Sequence, residues 1–211
     1  PVAGGLVGTR PTGSGVRPAS PRLESGALAT PFVTHHEAYD LDVFLRIAPE
    51  TFLKECIIGG FDRVFEVARV FRNEGLDPSH LQDFTMVEHY SAYWDYVENM
   101  KFTEEMLSTL LTDILGTTKI KIPDRDGTLV EVDFKKGWPR LTIRDAIKQE
   151  CGIDIEEQET PGALREAMKS KSITLDVDVS KLGRGNLIDQ LYKKVSRPNL
   201  VQPTFIIQHP I

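Results

Sequence analysis

The sequence is poor in cysteine, in net positive charge and in long apolar runs. Its two cysteines, Cys56 and Cys151, lie too far apart in the chain for a metal knuckle or a redox pair. No apolar run of about 18 residues and no signal peptide occurs, so we expect a cytoplasmic protein without membrane contact. Its 25 Lys and Arg against 31 Asp and Glu give a net charge of −6, which excludes tight nucleic-acid binding by charge alone.

The two common glycine-rich phosphate loops are also absent. Neither GxxxxGK[ST] nor GxGxxG occurs, so any nucleotide would have to bind without a loop-and-helix cradle. No metal site is predicted, because His35 and His36 have no Cys or carboxylate at ligand spacing on a shared helix face.

Composition divides the chain unevenly. Residues 1–25 are rich in proline and glycine without apolar periodicity, which predicts a flexible arm. Residues 26–211 are predicted to form a partial α+β domain. It opens with a strand at 43–48 and a helix at 49–58 that stops at the glycine pair 59–60.

Two hairpins follow. The β-branched and aromatic segments 62–73 and 84–96 predict an antiparallel pair with a long connecting loop. Apolar residues at three- and four-residue spacing then predict an amphipathic helix over 102–115. The Asp126-Gly127 dipeptide between two alternating segments indicates a second hairpin.

A helical insertion is predicted at about 140–200. Thr142 and Thr160 each occupy a helix-capping position, a third helix is expected over 187–195, and a strand is expected from Thr204. We interpret the charged run 154–159 as a solvated helix entry without a function.

The first hairpin carries the candidate chemistry. Alternation places one set of side chains on one face of the first strand and a second set on one face of the second strand. The two sets are Glu66, Ala68, Val70, Arg72 and Glu74, and Phe84, Met86, Glu88, Tyr90 and Ala92. If the faces coincide, a guanidinium, carboxylates, a phenol and a flat ring form a plate that suits an anionic ligand with a base. The alternative is a solvated sheet face with ordinary ion pairs.

The segment FRNEGLDPSHLQDFTMVEHY, residues 71–90, resembles motif 2 of the class II aminoacyl-tRNA synthetases. With LRIAPETFLKE and FDRVFEVARV before it, the chain is most similar to the lysyl branch of that family. The aspartyl and asparaginyl branches are less similar in the IAPETFLK segment. The resemblance implies an antiparallel sheet flanked by helices, in a class II catalytic core.

The resemblance also implies a function and a set of roles. The function is activation of L-lysine with ATP and Mg²⁺ to lysyl-adenylate, followed by transfer to the acceptor end of tRNA(Lys). The catalytic residue would be Arg72, on the lysine carboxylate and the α-phosphate. The implied ATP-binding residues are Arg72, Glu74, His80 and Phe84, and the implied lysine-binding residues are Gly26, Glu50, Arg72, Glu88 and Tyr90.

Departures from the family are equally specific. Motif 1, which builds the homodimer in the family, and the arginine-containing motif 3 have no counterpart, so the core is expected to be incomplete at both ends. Thr30 stands where the family usually has arginine. The alternative function is therefore a non-catalytic, synthetase-like module for ligand binding or interaction. Retention of Arg72, Glu74, Phe84, Glu88 and Tyr90 favours the enzyme.

Overall fold

The computed structural model describes residues 29–75, 80–124 and 126–209, and the backbone of residues 7, 8, 19 and 20. Within these ranges, no helix has the length and apolar character needed to cross a bilayer. The chain divides into two compact units, Pro1–Trp94 and Asp95–Ile211. Both contain helices and small sheets, as expected for an α+β protein.

The described strands are β1 Val7–Gly8, β2 Ala19–Ser20, β3 Val33–His36, β4 Leu41–Leu45, β5 Arg63–Phe71, β6 Asp83–Ser91, β7 Lys119–Pro123, β8 Leu129–Asp133, β9 Arg140–Thr142 and β10 Phe205–Ile207. The described α-helices are α1 Glu50–Ile58, α2 Tyr96–Leu115, α3 Ile143–Cys151, α4 Pro161–Ser170 and α5 Arg184–Val195.

The first unit is built around the antiparallel hairpin β5–β6, which the sequence predicts. Helix α1 packs against both strands of this hairpin. Its Leu53 and the strand residues Val64, Ala68 and Val70 are at most 2% exposed. The burial of alternate β5 residues follows from the period of two of a strand with one covered face. This face also carries the candidate site.

Two further pairings complete the sheets of the first unit. Strand β1 lies parallel to β5, and β4 lies antiparallel to both β2 and β3. Strands β1 and β2 are the four described residues of the segment 1–25, so these four are paired in sheets. The rest of that segment lies outside the described residues, and its flexibility stays a prediction.

Two predicted strand boundaries are wrong. The strand predicted at 43–48 is β4, which ends at Leu45, because the carbonyl of Arg46 accepts a hydrogen bond from Phe71 N of β5 instead of continuing the ladder (2.9 Å). The strand predicted at 84–96 is β6, which ends at Ser91. Tyr93 has a positive φ of 64°, which turns the chain out of the strand.

Helix α2 begins six residues earlier than the pattern predicts, at Tyr96. The Asp95 carboxylate accepts hydrogen bonds from Val97 N (2.6 Å) and Glu98 N (3.3 Å). Asp95 N in turn donates to the Glu98 side chain (3.4 Å), which completes a capping box. The aromatic content of 93–96 favours a strand by propensity, but this cap starts a helix.

The second unit contains the predicted hairpin, β7–β8, and a cluster of three helices. Gly127 in the hairpin turn has a φ of +78°, a conformation that glycine adopts without steric cost. Helices α3 and α4 begin at the predicted caps. Thr142 Oγ1 accepts from Asp145 N (2.9 Å), and Thr160 Oγ1 accepts from Ala163 N (3.1 Å). The fully buried residues of the helix cluster are Ile147, Leu164, Leu187, Ile188 and Leu191.

The last described strand of the second unit, β10, pairs with an earlier strand of the same unit. Strand β10 lies parallel to β9, with Phe205 opposite Arg140 and Ile207 opposite Thr142. The sequence predicts the strand from Thr204 but does not predict its partner. Residues 143–204, with the three helices, therefore connect two neighbouring strands.

The interpretation of the charged run 154–159 is wrong for its first residue. Asp154 is only 4% exposed. Its carboxylate accepts from Arg144 Nε and Nη2 (both 2.7 Å) and from Lys148 Nζ (2.8 Å). These bonds hold the pKa of Asp154 well below its usual range, so the group is a buried ion-pair centre and not a solvated charge.

Candidate active site

The register of β5–β6 brings the two predicted faces together. Val70 lies opposite Phe84, Glu66 opposite Glu88, and Val64 opposite Tyr90. Residues directly opposite in an antiparallel pair project to the same side of the sheet. The prediction that one face carries both sets is thus confirmed for the paired residues, while Arg72, Glu74 and Ala92 lie beyond the strand ends.

All four predicted ATP-binding residues line one cavity. It has a volume of about 220 Å³ and is bounded by Arg72, Glu74, Gly75, His80, Leu81 and Phe84. The centre of the Arg72 guanidinium lies 5.3 Å from the centroid of the Phe84 ring. A cation and a ring face at this separation attract each other, which orients the guanidinium fork. The cavity therefore combines an anion-binding fork with an aromatic stacking surface.

The backbone around Arg72 is fixed by neighbouring segments. Arg72 N donates to Gln82 O (2.8 Å), and Arg72 Nε donates to Ile47 O (3.4 Å). Asn73 N donates to Thr30 O (2.8 Å). Thr30 thus contributes its carbonyl to this junction, while the residue itself is exposed.

Three of the predicted lysine-binding residues are arranged around a second part of the same face. The Tyr90 hydroxyl donates to Glu88 Oε2 (3.5 Å), and Glu50, at the start of α1, forms an ion pair with Lys54 Nζ (2.5 Å). The Lys54 ammonium also lies 5.7 Å from the centroid of the Tyr90 ring. This part of the face already surrounds one ammonium with a carboxylate and a phenol ring. Of the other two predicted residues, Arg72 lines the cavity and Gly26 lies outside the described residues.

The pKa values of Glu88 and Tyr90, both on β6, are raised. Burial raises the pKa of Glu88, and the charge of Glu50 raises it further, while the hydroxyl of Tyr90 and the charge of Arg72 act in the opposite direction. Burial and the negative charges of Glu88 and Glu50 raise the pKa of Tyr90 to about 12. A cation bound beside Glu88 would therefore stabilise its ionised form against the effects of burial and of Glu50.

The role of Arg46 does not follow from the sequence pattern. Its side chain is 10% exposed and forms an ion pair with buried Glu66. The available signal is a single charged residue inside the apolar run VFLRIA. The sequence does place Glu66 on the correct face, but it does not identify the partner, because the two residues belong to different elements.

Comparison with known proteins identifies the family. Residues 18–211 match the family model described as tRNA synthetases class II (D, K and N). The chain therefore belongs to the class II tRNA synthetase family.

Within this family, the chain is similar to several lysine–tRNA ligases. The protein of Dehalococcoides mccartyi is 47% identical over 186 residues, which is 88% of this chain. The proteins of Clostridium novyi and Pelotomaculum thermopropionicum are 41% and 40% identical over 89% and 90% of this chain. In each case the chain spans 36% of the length of the relative.

Proposed function

We propose that the chain is part of the catalytic domain of a lysine–tRNA ligase, which activates L-lysine with ATP and transfers it to tRNA(Lys). The observation that supports this most directly is the pairing of β5 with β6. It brings an anion-binding and stacking cavity and a carboxylate-rich region onto one face. Similarity to three lysine–tRNA ligases at 40–47% identity supports the choice of amino acid.

The proposed roles assign ATP to the cavity around Arg72. Phe84 would stack on the adenine, Glu74 would accept a hydrogen bond from the adenine amine, and His80 would contact the distal phosphates. Arg72 would contact the α-phosphate and the lysine carboxylate together, which its planar fork of donors permits.

The proposed lysine site lies beside it. Glu50 would receive the α-amino group after separating from Lys54, and Glu88 with Tyr90 would hold the ε-ammonium. An ammonium taken from water needs a counter-charge, and Glu88 supplies one in a partly buried position. The backbone at Gly26 would complete the α-amino site.

Chemistry in such a site depends on positioning and charge. The lysine carboxylate attacks the α-phosphorus in line, pyrophosphate leaves, and Arg72 stabilises the negative charge that develops on the phosphoryl oxygens. No side-chain nucleophile is needed. The second step transfers the lysyl group to the terminal ribose of tRNA.

Magnesium would enter with ATP. Among the residues that the structure describes, no three His, Cys, Asp or Glu side chains form a metal-binding group. Mg²⁺ in nucleotide sites is held largely by phosphates and water with one or two carboxylates, so a protein cage is not required.

A chimera tests the proposed function. Residues 18–211 would replace the aligned segment of the Dehalococcoides mccartyi relative, and ATP–pyrophosphate exchange would be measured with lysine, aspartate and asparagine. We expect exchange that depends on lysine alone. A matched chimera with Arg72→Ala provides the background.

Two results would contradict the proposal. One is exchange no faster than in the Arg72→Ala chimera, with folding verified by cooperative thermal unfolding. That outcome, combined with retained ligand binding, would favour the non-catalytic module. The other is faster exchange with aspartate or asparagine than with lysine.

The remaining features are proposals of the same kind. We propose that residues 26–211 form part of a class II catalytic core with a helical insertion at about 140–200. We also propose that the protein acts in the cytoplasm.

A further inference from the structure

Arg46 connects the two segments that carry the proposed lysine-binding carboxylates. It lies directly after β4, four residues before Glu50 at the start of α1. Its Nη1 donates to Glu66 Oε1 (2.7 Å), and its Nε donates to the carbonyl of Arg69 (2.8 Å). One guanidinium thus holds a side chain and a backbone group of β5 at the same time.

Backbone contacts strengthen the same junction. Phe71 N donates to the carbonyl of Arg46 (2.9 Å), and the next residue, Ile47, accepts from Arg72 Nε (3.4 Å). The segment 46–49 is therefore fastened along the end of β5. Because this segment leads into α1, it sets where Glu50 lies relative to the hairpin.

The partner of Arg46 lies opposite the proposed ammonium ligand. Glu66 and Glu88 face each other across the β5–β6 ladder. Glu66 is 1% exposed, and its second oxygen, Oε2, has no hydrogen-bond partner among the described residues. A buried carboxylate without a cation is strongly disfavoured, and two facing carboxylates repel each other. Arg46 supplies the compensating charge.

We propose that Arg46 is a positioning residue for amino-acid recognition. It fixes Glu50 and Glu88 at a spacing that accepts the two amino groups of one diamino acid, and it neutralises Glu66 so that Glu88 keeps its charge for the substrate. This inference rests on the proposed function for the identity of the ligand. The contacts by which Arg46 holds segment 46–49 against β5 do not depend on the identity of the ligand.

The first test needs no ligand. Hydrogen exchange by mass spectrometry would be measured on the 211-residue chain and on its Arg46→Met and Arg46→Lys variants. In Arg46→Met, we expect hydrogen exchange to accelerate about tenfold or more in peptides covering 47–54 and 66–72. Local opening of these segments no longer has to break the hydrogen bonds of Arg46, so it costs less free energy. Peptides covering 160–195 should be unchanged. Arg46→Lys should be intermediate, since one ammonium cannot hold both acceptors.

A matched control removes another arginine from a buried carboxylate. Arg144→Met breaks the pair with Asp154 in the second unit, so it should accelerate exchange around 144–154 and leave 47–54 and 66–72 unchanged. Unchanged protection of 47–54 and 66–72 in both Arg46 variants would show that Arg46 does not hold segment 46–49 against β5. The Arg46→Lys variant keeps the test valid if Arg46→Met does not fold.

The second test uses the chimera. We expect Arg46→Met to raise the KM for lysine about 10- to 100-fold, because misplacement of a binding group by about 1 Å has effects of that size. The KM for ATP and kcat should change less than the KM for lysine, because the backbone of Arg72 keeps its bond to Gln82 O. Arg46→Lys should recover part of the loss, and Arg144→Met should leave both KM values unchanged.

A pH profile separates positioning from general damage. The groups that act on Glu88 are Glu66 of β5, Glu50 of α1, Tyr90 of β6, and Arg72 after β5. Lys54 of α1 is paired with Glu50. With Arg46 removed, the facing carboxylates of Glu66 and Glu88 lack their counter-charge, and the pair should take up a proton at higher pH. The acid limb of the lysine KM should therefore move to higher pH. Equal rises of the KM for lysine and the KM for ATP, without a shift of the acid limb to higher pH, would overturn the proposal.

An inactive wild-type chimera would refute the proposed function. Hydrogen exchange would still test whether Arg46 holds segment 46–49 against β5.

Discussion

Glu88 is a partly buried carboxylate and the proposed determinant of lysine specificity. Its side chain is partly buried, faces Glu66 and accepts from Tyr90. Removing one partner of a buried charge pair costs about 3 to 5 kcal/mol, which corresponds to two to nearly four decades in affinity. An effect of this size is large enough for a substitution of Glu88 to test the lysine site.

Glu88→Ala in the chimera is expected to raise the KM for lysine by about a hundredfold or more, because the ε-ammonium loses its counter-charge. The KM for ATP should change far less, since Arg72, Glu74 and Phe84 remain. Steady-state exchange kinetics measure both constants. Equal losses for lysine and ATP would mean that Glu88 supports the hairpin and does not contact the amino acid.

Phe84→Ala is expected to have the opposite selectivity. It removes a stacking surface and no charge, so ATP should bind about 2- to 10-fold more weakly, in line with about 0.5 to 1.5 kcal/mol for an aromatic pair. The KM for lysine should rise less than the KM for ATP, because Phe84 reaches the lysine site only through its contact with Arg72. Phe84→Tyr keeps the ring face and should behave as the wild type. A larger effect on lysine than on ATP would contradict the assignment.

Lysine binding should also depend on pH through Glu88. Burial and Glu50 raise the pKa of Glu88 above its ordinary value of 4.5, and only the ionised form can neutralise an ammonium. As pH falls, lysine KM should therefore begin to rise at a higher pH than it would for an exposed glutamate. Exchange kinetics across a pH series test this. Glu88→Gln should remove that limb, and a limb retained in Glu88→Gln would assign it to another group.

The residues of the site were predictable to different extents. The face shared by Arg72, Glu88 and Tyr90 follows from the period of two within the segments 62–73 and 84–96. The ion pair between Arg46 and Glu66 does not, because it depends on how the end of β4 lies along β5. Such a contact is set by tertiary packing and leaves no periodic signal.

At the level of elements, the helix caps explain which boundaries the sequence predicts. Thr142 and Thr160 are recognisable because each is followed by a helical pattern, and both cap as expected. The start of α2 was missed because Tyr96 has a high strand propensity, while the deciding signal is the capping box of Asp95 and Glu98. A local hydrogen-bonded cap therefore overrides propensity at this point.

The cap of α4 gives a direct test at this scale. Thr160→Ala removes the acceptor for Ala163 N and is expected to lower the free energy of unfolding by about 1 kcal/mol. Thr160→Ser keeps the hydroxyl and should cost much less. Denaturant unfolding of the 211-residue chain measures both. Equal losses in the two variants would show that the methyl group, and not the hydrogen bond, stabilises the helix start.

At the level of the whole molecule, charge limits what the chain can bind alone. The net charge of −6 opposes approach to a polyanion at long range. The 211-residue chain is therefore expected to bind tRNA weakly, in the non-specific range of about 10⁻⁴ to 10⁻⁶ M at physiological salt. Fluorescence anisotropy with labelled tRNA measures this. Nanomolar affinity would contradict the prediction, and a neutral RNA-sized polymer serves as the control for crowding effects.

The sequence also left the long-range pairings open. Short strands such as β9 and β10 have three residues each, too few for a pattern that specifies a partner. The parallel pairs β1–β5 and β9–β10 therefore emerge only from the fold, whereas the hairpins β5–β6 and β7–β8 were predicted from neighbouring segments.

The pairing of β9 with β10 has an evolutionary consequence. The chain leaves β9, passes through residues 143–204 and returns beside the strand it left. A parallel pair needs only a crossover of about a dozen residues, so most of this excursion is not required to join the two strands. Lineages could lengthen, shorten or exchange the excursion without moving either strand, and length differences among homologues should concentrate there.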